Sequence, residues 1–285
     1  MKINLLWFKE KSRNARRIAG LIAKSPLPNK TALLRAYLRL RLKCFLLVRI
    51  LKRNIRNENL LGFDMKFFDY GSFIMVFREI FMDGDYYFVT DNPAPRIIDC
   101  GSNVGLSVIF FKKLYPDSRI IAFEPDEKTF GLLKRNVEAN KLKNVTLINK
   151  AVYGQRGEMD FYYNKDYPGS VEMGAVKAPL LKDKKTVHTA LLSEYITEDV
   201  DFLKLDIEGS EYAVIGELSQ SRKLSLIKET VIECHHVPEL LDAGGRRLLN
   251  ILDENGFTYE TKKPFPAIYY GKNIFLVHAY RKNTE

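Results

Sequence analysis

The chain has 285 residues, of which 46% are hydrophobic and 28% charged, so it carries enough apolar side chains to bury a full core. Its three cysteines form no C-x-x-C pair, which argues against a disulfide framework and favours a reducing, cytoplasmic setting. The net charge of +10 points to attraction toward an anionic partner.

The first 60 residues carry the whole basic excess of the chain. They hold 16 Lys and Arg against 2 Asp and Glu, a balance of +14, whereas residues 61–285 hold 29 against 33, a balance of −4. We therefore expect a basic helical extension over residues 1–60 and a main domain over residues 61–285. The apolar runs in the extension are too short for a signal-peptide core or a bilayer span.

Within this extension, six residues follow the spacing of a helix and have arginines between them. They are Leu33, Leu34, Tyr37, Leu38, Arg41 and Phe45. Two interpretations stay open. The helix packs its apolar face on the main domain and leaves its arginines in water, or it lies on an anionic membrane surface. The second would make the protein peripheral at the inner membrane face.

A short section precedes the regular part of the chain. Phe63–Tyr70 and Phe73–Phe77 predict two short strands, which are joined at Gly71 and Ser72. A proline-containing turn at residues 91–95 separates this section from the rest of the main domain.

From residue 96 onward, strand-like and helix-like segments alternate. The predicted strands are Arg96–Asp99, Arg119–Phe123, Val145–Asn149, Phe202–Asp206 and Val231–Cys234, and the first predicted helices are Leu106–Tyr115 and Thr129–Asn140. This order predicts a doubly wound α/β fold, in which helices cover both faces of a parallel sheet. Phe257–Thr261 and Ile274–Ala279 would end the sheet as an antiparallel pair.

The first strand runs into a glycine-containing turn that opens a helix. Residues 97–105 read Ile-Ile-Asp-Cys-Gly-Ser-Asn-Val-Gly. Glycine lets a backbone approach a ligand closely, and the start of a helix offers free N–H donors. The dinucleotide fingerprint G-x-G-x-x-G is not met because Asn103 holds its middle position, and no P-loop is present. The turn therefore favours a nucleoside ligand with little phosphate.

An acid closes the second strand of the alternating series. Glu124 follows Asp99 by 25 positions, and its carboxylate can accept both ribose hydroxyl hydrogens of an adenosine bound across the strand ends. The structural alternative is an exposed loop acid. Because both signals occupy corresponding places in successive strand–helix units, we favour the nucleoside interpretation.

Three acids follow the fourth core strand, in the order Asp206, Glu208 and Glu211. Acids at this place can orient a substrate hydroxyl, accept its proton or hold a metal ion. They can also cap the following helix and favour its dipole. The two roles are compatible.

These segments together resemble the FkbM-type methyltransferases. The similar segments are Ile98–Gly105, Phe123–Pro125, Leu133–Asn136, Asn149–Val152, Leu203–Glu211 and Ile232–His235, in the family's order. The string Asp-Ile-Glu-Gly-Ser-Glu at residues 206–211 is the most specific of them. The resemblance implies a mostly parallel, seven-stranded, Rossmann-like fold of the class I type. It also implies that S-adenosylmethionine (SAM) is the cofactor and that O-methylation is the reaction, often on sugars or natural products.

The resemblance also implies roles for individual residues at the SAM site. Asp99, Gly101, Asn103 and Gly105 would line the methionine end of SAM, Glu124 would hold the ribose, and Ala151 would lie beside the adenine.

Methyl transfer to a hydroxyl benefits from a base that removes the hydroxyl proton. His235 is the best candidate by residue type, because an unperturbed imidazole titrates near neutral pH. It closes the fifth core strand, next to Asp206, and we take Asp206, Glu208 and His235 as the catalytic set. Asp206, Glu233 and His235 could alternatively hold a divalent metal ion, although no spacing is diagnostic of one.

A long stretch between core strands, residues 153–195, offers candidate substrate contacts. It contains Tyr162, Tyr163, Tyr167, Gly169 and Gly174. Segments of this kind often form lids, and the tyrosines could stack on sugar rings. The alternative is a strand at Met159–Tyr163 followed by a variable loop.

Two other classes of function compete with an enzyme that acts on small molecules or glycans. A nucleic-acid methyltransferase would suit the basic extension, but acids at the active site would repel phosphate, and the strand end lacks an Asn/Asp-Pro-Pro-aromatic motif. A scaffold protein at a membrane surface would keep the fold without the reaction. The sequence predicts neither the acceptor's identity nor the oligomeric state.

Overall fold

The computed structural model of the chain describes residues 18–23, 25–166, 169, 173–177, 181–235, 243–262 and 274–281. Its strands are β1 Asn57–Leu60, β2 Phe63–Lys66, β3 Arg96–Cys100, β4 Arg119–Phe123, β5 Val145–Ile148, β6 Ala151–Val152, β7 Gly157–Tyr163, β8 Asp183–Ala190, β9 Val200–Leu205, β10 Ile227–Cys234, β11 Phe257–Lys262 and β12 Phe275–Arg281. Its helices are α1 Lys30–Lys43, α2 Tyr70–Arg78, α3 Leu106–Leu114, α4 Glu127–Ala139, α5 Glu211–Gln220 and α6 Ala243–Glu254.

The chain divides into two compact units. The first comprises the described residues up to Met65 together with Asp69–Tyr87, and the second comprises Lys66–Phe68 and the described residues from Phe88 onward. The first unit thus reaches beyond residue 60, where the sequence led us to place a domain boundary. Residues 1–17 and 24 of the predicted basic extension lie outside the described residues.

In the first unit, α1 follows the predicted helical spacing. The side chain of Asn29 caps the helix by accepting a hydrogen bond from the Ala32 N–H at 2.8 Å. Leu33, Tyr37 and Leu40 are buried on one face of the helix. A π-helical segment, Cys44–Ile50, continues α1 directly.

The prediction of two short strands at Phe63–Tyr70 and Phe73–Phe77 was only partly correct. The first shortens to β2, which pairs with β1, while Phe73–Phe77 lies within the helix α2. The Asp69 carboxylate accepts a hydrogen bond from the Ser72 N–H at 2.6 Å and so caps α2. The residues predicted to join two strands therefore form the first turn of a helix.

The second unit contains a seven-stranded sheet in the order β11-β12-β10-β9-β3-β4-β5. The pairs that join β10, β9, β3, β4 and β5 are parallel, whereas β12 pairs antiparallel with both β10 and β11. This arrangement confirms the predicted α/β fold and its antiparallel end. All residues of β3 and β9 are buried, in keeping with the apolar pairs Ile97–Ile98 and Phe202–Leu203 at their centres, and the charged residues of both strands are buried with them.

A separate three-stranded sheet, in the order β6-β8-β7, falls between β5 and β9 along the chain. β7 and β8 form a long antiparallel pair, and β7 contains the predicted strand Met159–Tyr163. Tyr167 lies outside the described residues. No described helix has both the length and the apolar character needed to cross a membrane.

Candidate functional site

Four neighbouring strands of the second unit end at one edge of the sheet. Because β10, β9, β3 and β4 run parallel, the residues that follow them emerge on the same side. The structure therefore brings together the turn after β3, Glu124 after β4, Asp206 after β9 and His235 after β10, as the sequence predicted.

The turn after β3 needs glycine at position 101. Gly101 has a φ of +82°, and a Cβ placed on it would lie 1.8 Å from the Asp206 carbonyl oxygen. Asn103 has a φ of +49°, and its side-chain oxygen accepts a hydrogen bond from the Val104 N–H at 2.7 Å. Gly105 ends the turn and caps α3. The backbone of β3 is thus folded tightly against the backbone that follows β9.

Glu124 is buried at the end of β4 and faces the same turn. Its Oε2 accepts a hydrogen bond from the Asn103 N–H at 3.0 Å, and its Oε1 accepts one from the Asp126 N–H at 2.9 Å. Burial raises the pKa of Glu124 to about 8, although the two backbone N–H groups oppose the shift. The two backbone hydrogen bonds fix the carboxyl group in place. When this group is ionised, a hydrogen-bond donor that binds it will be held strongly.

Ala151 lies beside this strand end. It is buried and begins β6, two positions after Asn149, whose side-chain amide donates to the Glu124 carbonyl oxygen at 2.8 Å. Of the residues predicted to bind SAM, Gly101, Asn103, Gly105, Glu124 and Ala151 therefore surround the ends of β3, β4 and β5.

Asp99 is engaged by the protein itself. Its side chain is fully buried; Oδ2 accepts a hydrogen bond from the Ser107 hydroxyl at 2.5 Å, and Oδ1 lies 3.3 Å from the Lys204 Nζ. These contacts support the β3 turn from within, and the role of Asp99 in lining the ligand stays a prediction.

Lys204 is a central residue of the site that our sequence analysis missed. Its ammonium donates to the Gly101 carbonyl oxygen at 2.8 Å and to the Cys100 carbonyl oxygen at 3.1 Å. It also lies 3.3 Å from a carboxylate oxygen of both Asp99 and Asp206. Burial opposes its charge, but the two carboxylates hold the pKa of Lys204 above its ordinary value. One buried cation thus joins the β3 turn to the acid after β9.

The sequence did contain a signal for Lys204. A lysine stands between Leu203 and Leu205, within an apolar stretch of the strand that begins at Phe202, and a buried lysine requires partners. Which carboxylates meet it cannot be read from the strand itself.

Carboxylates surround His235 on both ring nitrogens. Its Nδ1 lies 3.0 Å from the Glu211 Oε1. Its Nε2 lies 3.3 Å from the Glu208 Oε1, 3.4 Å from the Glu233 Oε1 and 3.9 Å from the Asp206 Oδ1. The structure therefore brings the predicted catalytic set together and adds two glutamates to it.

This environment decides the charge of His235. Burial would lower its pKa, but the surrounding glutamates raise it well above the ordinary value of 6.5. The ring is therefore an imidazolium at neutral pH and donates hydrogen bonds from both nitrogens. An imidazolium has no free lone pair to accept a proton, so the raised pKa favours a positioning role for His235 over the role of a base, which stays a prediction.

Asp206, Glu233 and Glu208 are the partly accessible acids of the cluster, with side chains 24%, 21% and 13% exposed, whereas Glu211 is fully buried. One ligand atom from each of Asp206, Glu208 and His235 can be chosen so that all three lie within 4.8 Å of one another. A divalent cation that displaced the imidazole proton would find a mixed nitrogen and oxygen donor set there. The metal set that the sequence suggests contains Asp206, Glu233 and His235, whereas the set found here contains Glu208 instead of Glu233.

The backbone around Glu208 is held from two directions. Glu208 has a φ of +53°, and the Glu211 carboxylate accepts hydrogen bonds from the Ile207 and Gly209 N–H groups at 3.2 Å and 3.0 Å. A Cβ on Gly174 would lie 2.3 Å from the Glu208 Cβ, so only glycine fits there. Gly174 therefore packs directly on Glu208, and the Glu211 carboxylate, at the first residue of α5, holds the segment that precedes this helix.

Comparison with known proteins identifies the domain. The family model described as a methyltransferase FkbM domain matches residues 99–259, more than half of the chain.

Curated relatives and a solved structure are also similar to the chain. The 2-O-methyltransferase NoeI of Sinorhizobium fredii is 25% identical over 180 residues, 57% of this chain and 72% of that protein. The 31-O-demethyl-FK506 methyltransferase FkbM of Streptomyces tacrolimicus is 24% identical over 239 residues, 72% of this chain and 89% of that protein. The crystal structure of M. jannaschii TYW2 in complex with AdoMet aligns with a TM-score of 0.47 at 16% identity, covering 79% of this chain and 86% of that one.

Proposed function

The chain belongs to the FkbM methyltransferase family and is a SAM-dependent methyltransferase, and we propose that it methylates a hydroxyl group of a sugar, a glycan or another small molecule. Two relatives carry O-methyltransferase names, and one of them is named for 31-O-demethyl-FK506. The observation that carries the proposal is the acid cluster beside the donor strand ends, because a hydroxyl must lose a proton when it is methylated.

We propose that SAM binds where β3 and β4 end. Two observations fit this cofactor. Gly101 has no side chain that would shield the backbone of the turn from a ligand, and Glu124 presents a fixed, buried carboxyl group to a ribose diol. Asn103, Gly105 and Ala151 would complete the contacts, while Asp99 would position the turn. When bound, SAM supplies an electrophilic methyl group on its sulfonium.

The raised pKa of Glu124 predicts that affinity for S-adenosylhomocysteine (SAH) depends on pH. Ribose hydroxyls donate to the charged carboxylate, yet the empty site favours the protonated form below the pKa of about 8. Binding therefore releases a proton in that range, and affinity should rise by up to about tenfold per pH unit until it levels off near pH 8. Calorimetric titration with SAH at several pH values measures this slope.

The raised pKa of Glu124 also affects the stability of the empty protein, which should fall with rising pH while SAH affinity increases. Because the folded pKa lies above the ordinary value of 4.5, the empty protein should lose stability as pH rises from 4.5 toward about 8. Glu124→Gln, which cannot titrate, is the matched control for both effects. A slope in SAH affinity that is equally steep in this variant would assign the proton to another group.

We propose that Asp206 or Glu208 accepts the proton of the acceptor hydroxyl. Both carboxylates are partly exposed, and the His235 imidazolium holds them in place while offsetting their mutual repulsion. Lys204 fixes the Asp206 carboxylate from the other side at 3.3 Å. His235 is then a positioning residue. The site would align the acceptor hydroxyl with the methyl group of the donor and exclude water.

Replacing Asp206 with asparagine should lower turnover by about 10²–10⁴-fold while SAH affinity changes little, because asparagine keeps the shape but cannot accept the proton. His235→Asn should also lower turnover. Transfer of labelled methyl groups from SAM to a panel of glycosides measures turnover, and calorimetry measures SAH affinity. Asp160→Asn, an exposed acid of β7 whose side chain is 50% exposed, is the control.

Retained turnover in Asp206→Asn, Glu208→Gln and His235→Asn alike would remove the acid cluster from the mechanism. Treatment with a chelator tests whether activity depends on a bound divalent metal ion. Loss of activity in EDTA that Mg²⁺ restores would assign Asp206, Glu208 and His235 to a metal ion, whereas activity that persists in EDTA would leave proton transfer to the carboxylates.

We further infer that the reaction takes place in the cytoplasm, at the inner face of a membrane that residues 1–60 contact. The support is the balance of +14 in that segment, against −4 in the rest of the chain. The acids of the active site disfavour a nucleic-acid acceptor, since phosphate would be repelled there.

A further inference from the structure

Large apolar side chains that face solvent are concentrated in one part of the described chain. Among the described residues, the exposed large apolar ones are Leu34, Leu38, Leu42, Phe45, Leu46, Ile50, Leu51, Tyr87, Val89 and Tyr280. The first seven fall within 18 consecutive residues, on α1, the π-helical segment after it and the next residue. Scattered exposed leucines are normal in proteins, but a contiguous run of this kind marks an interaction surface.

The spacing of these residues gives α1 a second apolar face. Leu34, Leu38 and Leu42 recur every four residues and so lie along one side of the helix, which Phe45 extends. Their side chains are 37%, 54%, 58% and 56% exposed, respectively. The core-facing side of the helix is already formed by other residues, so the unit's own core does not account for this stripe.

Positive charge surrounds the apolar stripe. The sequence has no Asp or Glu between Glu10 and Glu58. The exposed cations of this region that form no ion pair with any described residue are Arg35, Arg41, Arg49, Lys52, Arg53 and Arg56. By their helical positions, Arg35 and Arg41 lie on opposite sides of the stripe. Arg39 and Lys43, in contrast, pair with the buried Glu58 at 3.4 Å and 3.0 Å.

We propose that Leu34, Leu38, Leu42 and Phe45, flanked by Arg35 and Arg41, form a docking face for an anionic lipid surface. The apolar stripe would enter the boundary between headgroups and acyl chains, and the arginines would stay at the level of the lipid phosphates. This face gives a physical basis to the membrane contact proposed above, on which it rests, and is independent of the methyl-transfer chemistry.

Other occupants fit the surface less well. A second copy of the chain would bring the same cations against one another across a symmetric interface, with no acids to offset them. A nucleic acid would pair with the arginines but would leave four aliphatic or aromatic side chains against a charged backbone. An anionic membrane satisfies both the charge and the apolar area.

Sedimentation of the full chain with vesicles tests the proposal. The protein should pellet with phosphatidylcholine vesicles that contain phosphatidylglycerol, much less with pure phosphatidylcholine, and less at high salt. The variant Leu38→Asn/Leu42→Asn/Phe45→Ser should bind at least about tenfold more weakly. The variant Arg35→Gln/Arg41→Gln should bind anionic vesicles on the order of tenfold more weakly, with its binding to neutral vesicles unchanged.

Matched controls separate this surface from general changes in polarity and charge. Val89→Asn removes an apolar side chain from a residue that is 70% exposed. Lys143→Gln/Lys182→Gln removes the same charge as the arginine variant from exposed sites on the second unit. Both controls should bind vesicles as the parent chain does. Thermal unfolding and SAH affinity, measured on every variant, should match those of the parent.

Several results would overturn the proposal. Equal binding to neutral and anionic vesicles would overturn it. Vesicle binding that is weakened neither by the Leu38, Leu42 and Phe45 substitutions nor by the Arg35 and Arg41 substitutions would also overturn it. A parent chain that is dimeric in solution and becomes monomeric in the leucine variant would assign the face to self-association. Stronger retention of an RNA oligonucleotide than of anionic vesicles, lost in the arginine variant, would assign it to nucleic acid. Failure of SAH binding with vesicle binding intact would refute the proposed function and leave this surface standing.

Discussion

Replacing Lys204 with methionine is expected to lower the free energy of unfolding by about 3–5 kcal/mol, because it leaves buried charge without its partner. Methionine keeps the length and the apolar stem of lysine, so the loss is electrostatic rather than one of volume. The Asp99 and Asp206 carboxylates lose a shared cation, and the Gly101 and Cys100 carbonyl groups lose a donor. Chemical denaturation of the two proteins at the same pH measures the difference.

The variant should also lose SAH affinity and turnover together. Lys204 holds the donor turn at Gly101 and the acceptor acid at Asp206, so neither half of the site keeps its geometry without it. Lys228→Met is the matched control, because Lys228 pairs with Asp201 at 2.8 Å but keeps 55% of its side chain exposed. We expect that change to cost less than about 1 kcal/mol. Similar losses in the two variants would contradict the central role of Lys204.

Replacing Glu124 with alanine is expected to weaken SAH binding by on the order of 100-fold or more. Two ribose hydroxyls would each lose a charge-assisted hydrogen bond, at about 1.5–3 kcal/mol per bond before compensation. The change also leaves the Asn103 and Asp126 N–H groups without their acceptor, so the turn beside the ligand loosens. Calorimetric titration with SAH measures the affinity directly.

Glu127 provides the comparison for this variant. It is an exposed acid in the first turn of α4, three positions away, and Glu127→Ala removes the same charge from the same segment. SAH affinity should be unchanged in Glu127→Ala. If Glu124→Ala also binds SAH as the parent chain does, the ribose lies elsewhere.

The central sheet could be predicted from the sequence because its strands are buried on both faces. Such strands read as short apolar runs, and the alternation of β3, α3, β4 and α4 leaves only a parallel arrangement between them. Parallel strands end at one edge, so the meeting of Glu124, Asp206 and His235 followed from the same reasoning.

Other features depend on contacts that the local sequence does not contain. The charge of His235 is set by glutamates that come from the loop after β9, the start of α5 and β10 itself. The helix α2 was missed because Phe73 and Phe77 fit both a strand face and a helix spacing of four residues. Only the capping carboxylate of Asp69 distinguishes the two.

The junction at Lys204 also sets the order in which the protein can acquire its ligand sites. Lys204 and the Cys100 carbonyl oxygen that it binds are 104 positions apart in the chain, and β3 and β9 lie side by side at the centre of the sheet. Closing so long a loop costs conformational entropy before any contact repays it, so we expect this pairing to form late in folding. A nascent chain that has not yet released β9 from the ribosome therefore has neither a donor site nor an acceptor site, and both are completed in the same step.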